Sequence, residues 1–334
     1  MTDQDLQGIW FERLCQRTGV PFWVGVLLYG VLPVTLLLPA SYFAAGLWGG
    51  FVSGGGLGLV PLLVVVTIYT LYASRFVRRR LEGVASYANT LIPAGQGMEL
   101  RELYGIRGIA VTYVALVTIV QYFYLEYEIP GSYSLLQGMM ISAAFFYWNV
   151  FIITFIFAFA YSLYKIYQAG KLPLVLRPFT EDRTLGLRPF GRLSLQLTAL
   201  YILMVAIIIV PQTGLGYPAV PLVAFGAILM LGGIVLFMVP LLSLHGRLVE
   251  AKRMENGRLA PQYTELVHQL NQDGVKNSDV RLFHQLMGID KVQRDIQQIH
   301  TWPFDVGIIT RLAAIVFSVV AILLANYLRL ILKF

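Results

Sequence analysis

The chain reads as an all-α integral membrane protein of seven transmembrane helices, amino terminus inside and carboxyl terminus outside. Three observations predict that class. Hydrophobic residues make up 57% of the 334 positions and charged residues only 13%, against roughly 25% charged in soluble chains. Seven apolar stretches are each long enough to span about 30 Å of hydrocarbon as a helix of roughly 20 residues. The 25 Lys and Arg residues avoid alternate gaps between these stretches: 2 precede the first, then 0, 6, 0, 6, 0 and 8 follow, and 3 fall in the last span and tail. Basic residues are retained on the cytoplasmic side, which sets the orientation. The net charge of +7 therefore collects where anionic lipid is met, and nucleic acid is not an expected partner.

The first 20 residues form a cytoplasmic or interfacial segment. Asp3, Asp5, Glu12, Arg13 and Arg17 argue against a cleaved signal peptide, while Leu6, Ile9, Trp10 and Leu14 recur at helical spacing. That spacing describes either an amphipathic helix lying in the interface or a tail that caps the bundle. Residues 21–244 follow as a six-helix bundle with two inner loops. Its predicted spans are Pro21 to Phe43, Leu57 to Phe76, Gly108 to Leu125, Leu135 to Tyr164, Leu193 to Val210 and Pro218 to Leu244. The outer gaps between them are short and nearly uncharged. Gly54, Gly55 and Gly56 lack the Lys and Ser/Thr of a phosphate loop and read as a turn.

The inner side carries the polar residues. Arg75, Arg78, Arg79 and Arg80 close the second span, as expected of a topology or lipid-headgroup cluster. The next inner loop repeats one tetrad, Leu176-Arg177-Pro178-Phe179 and Leu187-Arg188-Pro189-Phe190, and its prolines forbid a continuous helix. Glu181 and Asp182 between the copies are expected to pair with the arginines. Residues 245–305 form a cytoplasmic helical anchor, begun by an extension of the sixth span that Gly257 and Pro261 are expected to interrupt. Within it Leu282, Leu286, Ile289, Val292, Ile296 and Ile299 recur at near-heptad spacing. Contact with another subunit and packing against the same subunit's inner helices both explain that stripe.

Residues 306–334 hold the seventh span. Along it Arg311, Ser318 and Asn326 share one face, with Ile315 and Ile322 between them. This weakly polar stripe suits a pore wall with an apolar constriction, or an ordinary packed helix. Tyr113, Gln121, Tyr122 and Tyr124 on the third span, Gln137, Tyr147, Trp148 and Asn149 on the fourth, and Tyr201 on the fifth are candidates for a ligand cavity in the outer half. Aromatic belts and helix packing also account for such residues.

No signature for catalysis is present. The four histidines, His245, His268, His284 and His300, have no zinc-ligand spacing, and the single Cys15 excludes a disulfide framework. Neither a metal nor a cofactor is expected, and the chain does not read as an enzyme. Carboxylates deep in the spans, which ion-coupled transporters use, are missing as well.

In layout the chain resembles the seven-transmembrane ion-channel superfamily that includes the insect odorant and gustatory receptors. The shared features are the inside amino terminus, the outside carboxyl terminus, inner helices leading into the last span, and a last span that ends the sequence. The receptors' carboxyl-terminal Thr-Tyr and Gln-Phe pattern is absent, since Asn326-Tyr327 does not match it. The resemblance implies a homotetramer in the cell membrane, a central pore for ions lined by the last spans, and gating by a small ligand in an outer-half cavity. The alternatives are a transporter or permease for a small solute and a membrane sensor that signals through the cytoplasmic module.

Overall fold

A backbone in hydrocarbon has no water to pair with, so each long apolar run must satisfy its own N–H and C=O groups, and a helix does this within one segment. The computed structural model describes residues 8–53, 56–93, 98, 100, 106–115, 135–178, 181–214, 219–272, 279–304 and 306–332. Among them no strand occurs, and the helices are α1 (Trp10–Arg17), α2 (Phe22–Ala44), α3 (Trp48–Ser53), α4 (Gly56–Leu91), α5 (Ile106–Ala115), α6 (Leu135–Ala169), α7 (Arg188–Gly214), α8 (Ala219–Gln272), α9 (Asp279–Gln297) and α10 (Val306–Leu332). Five of them, α2, α4, α6, α7 and α8, are long and apolar enough to cross a membrane. The protein is thus an all-α, multi-pass membrane protein. Two shorter apolar stretches, Ile106–Ala115 and Ile309–Ile322, lie in α5 and α10.

Tyrosine and proline together tie α2 to α6. Pro33 has no N–H to give to the carbonyl four residues earlier, that of Tyr29. The Tyr147 hydroxyl donates to this carbonyl instead. Around it, Val26–Val31 widens into a π-helical turn, the usual way to fit an irregularity inside a helix. Gln137 Nε2 likewise donates to the Ala45 carbonyl at the end of α2, at 2.7 Å. The end of α6 is capped from α8: Arg247 Nε donates to the Gly170 carbonyl at 3.1 Å and Nη2 to that of Lys171 at 3.3 Å. A cation there also complements the negative end of the helix dipole.

The main core joins α4, α6, α7, α8 and the start of α10, with Val77, Phe155, Leu197, Ile202, Phe237 and Leu244 buried at its centre. A second cluster holds α1 and α2 against α4 and α6 through Phe11, Cys15, Val34, Leu71 and Phe151. Of the expected α1 stripe, Ile9 is buried and Leu14 half-buried, and Leu6 lies outside the described residues. The buried face of α1 is Phe11, Glu12 and Cys15, whereas Trp10 is half-buried with its indole N–H donating to Thr154 Oγ1 at 2.8 Å. The segment caps the bundle because Glu12 finds Arg75 and Arg78 on α4.

Two further expectations are corrected. α8 continues unbroken through Gly257 and Pro261. Both positions are exposed, so water replaces the hydrogen bond that Pro261 cannot make, and Arg258, Leu259 and Ala260 are good helix formers. Asp182 does not chiefly serve an arginine. Its carboxylate accepts from Thr184 N at 2.9 Å, Thr184 Oγ1 at 2.8 Å and Gly186 N at 3.0 Å, which makes a side-chain-closed turn. Leu185 and Gly186 adopt φ of 52° and 88°, and glycine carries the second of these left-handed positions without strain. The turn buries Leu185 and Leu187 and starts α7 at Arg188, with Pro189 in the first turn where no N–H is needed.

Candidate functional site

α10 and the break that leads into it are built differently from the rest of the bundle. Ile296 and Ile299, at the end of α9, are buried in the main core. The backbone then leaves the helical path through Thr301-Trp302-Pro303-Phe304 and re-enters a helix at Val306. Each side of the break is fastened. Lys252 Nζ on α8 donates to the carbonyls of Gln297 at 2.7 Å and Ile299 at 3.2 Å. His300 N donates to the Arg183 carbonyl at 3.0 Å. His245 stacks on Trp302 with ring centroids 4.2 Å apart, and its Nδ1 lies 2.6 Å from the Thr301 carbonyl, so Nδ1 carries the proton in that contact.

Phe304 stacks on Trp302 and packs at a tilt against Phe237, and Pro303 and Phe304 are buried. This close seating requires glycine on α7. A Cβ at Gly191 would run into the Pro303 carbonyl oxygen. The long helix α8, the turn after Asp182 and the start of α10 therefore meet at one junction, joined by ring contacts and backbone hydrogen bonds.

Beyond the junction α10 leans on α7 and α8 with one edge, Leu312 and Val319 being buried and Ile315 and Val316 partly so. The stripe expected to line a pore lies beside this edge. Arg311, Ser318 and Ile322 are exposed and Ile315 is half-buried; the Asn326 side chain lies outside the described residues. Ser318 Oγ donates to the Ala314 carbonyl at 2.7 Å, so its hydroxyl is satisfied within the helix and presents a weakly polar surface. A different face is apolar and also exposed, with Phe317 at 73%.

Of the residues expected to wall a ligand cavity, the described ones lie on α5, α6 and α7. Tyr113 donates to the Phe146 carbonyl at 2.8 Å, Tyr147 and Gln137 hold the carbonyls described above, and Trp148 packs with Phe145 in the second core cluster. Tyr201 stacks on Phe159 at 5.5 Å and fills the space beside Gly233 on α8. Asn149 is half-buried, and Gln121, Tyr122 and Tyr124 lie outside the described residues. These side chains do not line the clefts beside Arg188, Trp10, Ile322 or Ser243. Among the described ones, Tyr113, Gln137 and Tyr147 stitch one helix to the next. An apolar cleft of about 510 Å³ does open between α4, α7 and α10, lined by Gly58, Pro61, Val65, Ala206, Pro211 and Ile322.

The anchor stripe divides in two. Ile296 and Ile299 are buried in their own chain and leave no surface for a second one, and Val292 packs against the same core. Leu286 and Ile289 are half-buried, and the Leu282 side chain lies outside the described residues. Sequence reasoning missed the roles of His245, Lys252 and Gly191. Their signal was tertiary, because each serves a backbone segment distant in the sequence. No cluster of three or more His, Cys, Asp or Glu side chains that could hold a metal occurs among the described residues. No family model, no curated protein and no solved structure matches the chain.

Proposed function

We propose that the protein is a homo-oligomeric ion channel, a tetramer with seven crossings per subunit, in which α10 from each copy lines the conduction path. On this reading α5 belongs to the third crossing and α10 is the seventh, with the amino terminus inside. The observation that carries the proposal is the seating of α10: one edge is packed, while a stripe of Arg311, Ser318 and Ile322 stays exposed beside it. An arginine within a membrane helix is costly against lipid and is favoured toward water or a partner. A stripe of weak polarity with an isoleucine constriction fits a water-filled wall that gates by dewetting. The junction at Trp302–Phe304 supports the same reading, since it links the extramembrane end of α8 to α10.

Reconstitution tests it. Purified protein in a planar bilayer should give unitary currents, and particles viewed along the membrane normal should form a ring with α10 at its centre. Saturable solute uptake without unitary current, or a monomeric particle, would remove the channel reading. Reporters on both termini accessible from one compartment would remove the seven-crossing topology.

A further inference from the structure

We infer that the basic end of the bundle carries a binding site for a lipid headgroup of net negative charge with an exposed phosphate, as in phosphatidic acid, in the cleft between α4 and the start of α7. The cleft measures about 310 Å³ and is lined by Arg79, Arg80, Gly83, Arg188, Arg192 and Gln196, with Val84, Pro189 and Leu193 completing the wall. Four guanidinium groups share it, all on exposed residues, and no carboxylate lines it. Asp182 lies close enough to Arg188 to interact electrostatically, and Glu82 on α4 is engaged with Arg78 at 2.7 Å.

Like charges brought together in this way repel one another, and an anion between them reverses the sign of the interaction. Arg188 adds to the effect. It occupies the first turn of α7, where the helix dipole presents its positive end and disfavours a cation. A ligand at that position receives both the dipole and the guanidinium groups. Phosphate matches the guanidinium fork in charge and geometry, accepting paired N–H bonds, and Gln196 adds a neutral donor. The cleft lies just past the apolar run that ends at Phe76, at the level of the headgroups of that leaflet. Its apolar residues offer a wall for the glycerol and the first methylenes of a lipid. Gly83 faces open space in the cleft, since a Cβ there would meet nothing within 4 Å. This site does not depend on whether α10 conducts.

The test uses the full chain in a neutral detergent, with thermal unfolding followed by tryptophan fluorescence while short-chain phosphatidic acid or phosphatidylcholine is titrated in. Phosphatidic acid should stabilise the protein saturably and phosphatidylcholine should not. The double variant Arg79→Gln/Arg192→Gln should weaken the apparent affinity by roughly tenfold or more. Gly83→Trp should abolish the stabilisation, while Gly83→Ala retains it and reports that the helix tolerates a side chain there. Arg253→Gln/Lys291→Gln removes equal charge elsewhere and should leave the titration unchanged. Inorganic phosphate separates the sources of the ligand: full competition assigns the site to the free anion, and lack of competition assigns it to the lipid. Equal stabilisation by phosphatidylcholine, an unchanged titration in the Arg79/Arg192 variant, or an equal loss in the control variant would overturn the site.

Discussion

Glu12 and Arg78 lie 66 positions apart and are joined by a buried ion pair, with Oε2 2.6 Å from Nε and Nη2 donating to Oε1 at 3.0 Å. Arg75 Nε approaches the same carboxylate at 3.2 Å, and Glu12 also accepts from the Ile9 N–H at 3.3 Å. One carboxylate, 6% exposed, thus serves two arginines and closes the first turn of α1.

Replacing it by glutamine keeps the size and removes the charge. Two guanidinium groups then stay partly buried without it, and among the described residues only Arg78 keeps a second acid, Glu82. Breaking a buried pair from one side costs about 3 kcal/mol. Glu12→Gln should therefore lower the unfolding midpoint in detergent and expose α1 to limited proteolysis. Melting and digestion identical to the parent chain would show that the pair contributes nothing.

Asp182 supplies a pH dependence. Burial works to raise its carboxyl, but the hydrogen bonds from Thr184 and Gly186, with Arg188 nearby, outweigh it and hold the group below the ordinary aspartate value. A carboxylate depressed on folding stabilises the protein above its unfolded pKa of about 4, and the contribution is lost as pH falls through the lower folded value. Asp182→Ala should cost about 1–2 kcal/mol near pH 7, since the Thr184 and Gly186 donors lose their acceptor. The difference between parent and variant should shrink as the pH is lowered below 4. A gap that is constant with pH would place the effect in packing instead.

Gly191 is the tightest constraint at the junction. A methyl group there meets the Pro303 carbonyl, a backbone atom with no rotamer to escape into. Overpacking of this kind costs about 1–3 kcal/mol. Gly191→Ala should shift the entry of α10 and, on the proposed channel reading, change the open probability in a reconstituted bilayer, whereas Gly246→Ala, in open space on the next helix, should change neither. Equal gating in both variants would show that the junction does not control α10.

The long apolar runs were legible because hydrocarbon leaves the backbone one local solution, and α2, α4, α6, α7 and α8 all coincide with predicted spans. Their ends were less so. α4 continues past Phe76 to Leu91 and α8 past Pro261 to Gln272, since helix propensity persists where the hydropathy signal stops. Side-chain roles were the least legible. Tyr147 reads as a cavity wall until the carbonyl freed by Pro33 is seen across the helix interface, and Arg79 reads as a topology signal until Arg192 stands opposite it. Such pairings are set by how helices pack, which hydrophobic periodicity does not encode.

The stripe on α10 is open to direct chemical test because the chain has one native cysteine. Cys15 is 3% exposed, and burial, with Glu12 beside it, pushes its thiol above the ordinary value. It stays protonated at neutral pH and reacts poorly with thiol reagents, which attack through the thiolate. Cysteines at Ser318 and Ile322 sit on the proposed wall, and one at Phe317 sits on a different, exposed face. Ser318→Cys and Ile322→Cys should each lose most of their unitary current when a charged, membrane-impermeant methanethiosulfonate is added, because on the proposed reading a fixed charge and added bulk would enter the conduction path. Phe317→Cys should conduct as before, shielded from the reagent by lipid or a neighbouring helix. Mass spectrometry must show modification at 318 and 322; current that persists through verified modification would take α10 off the conduction path.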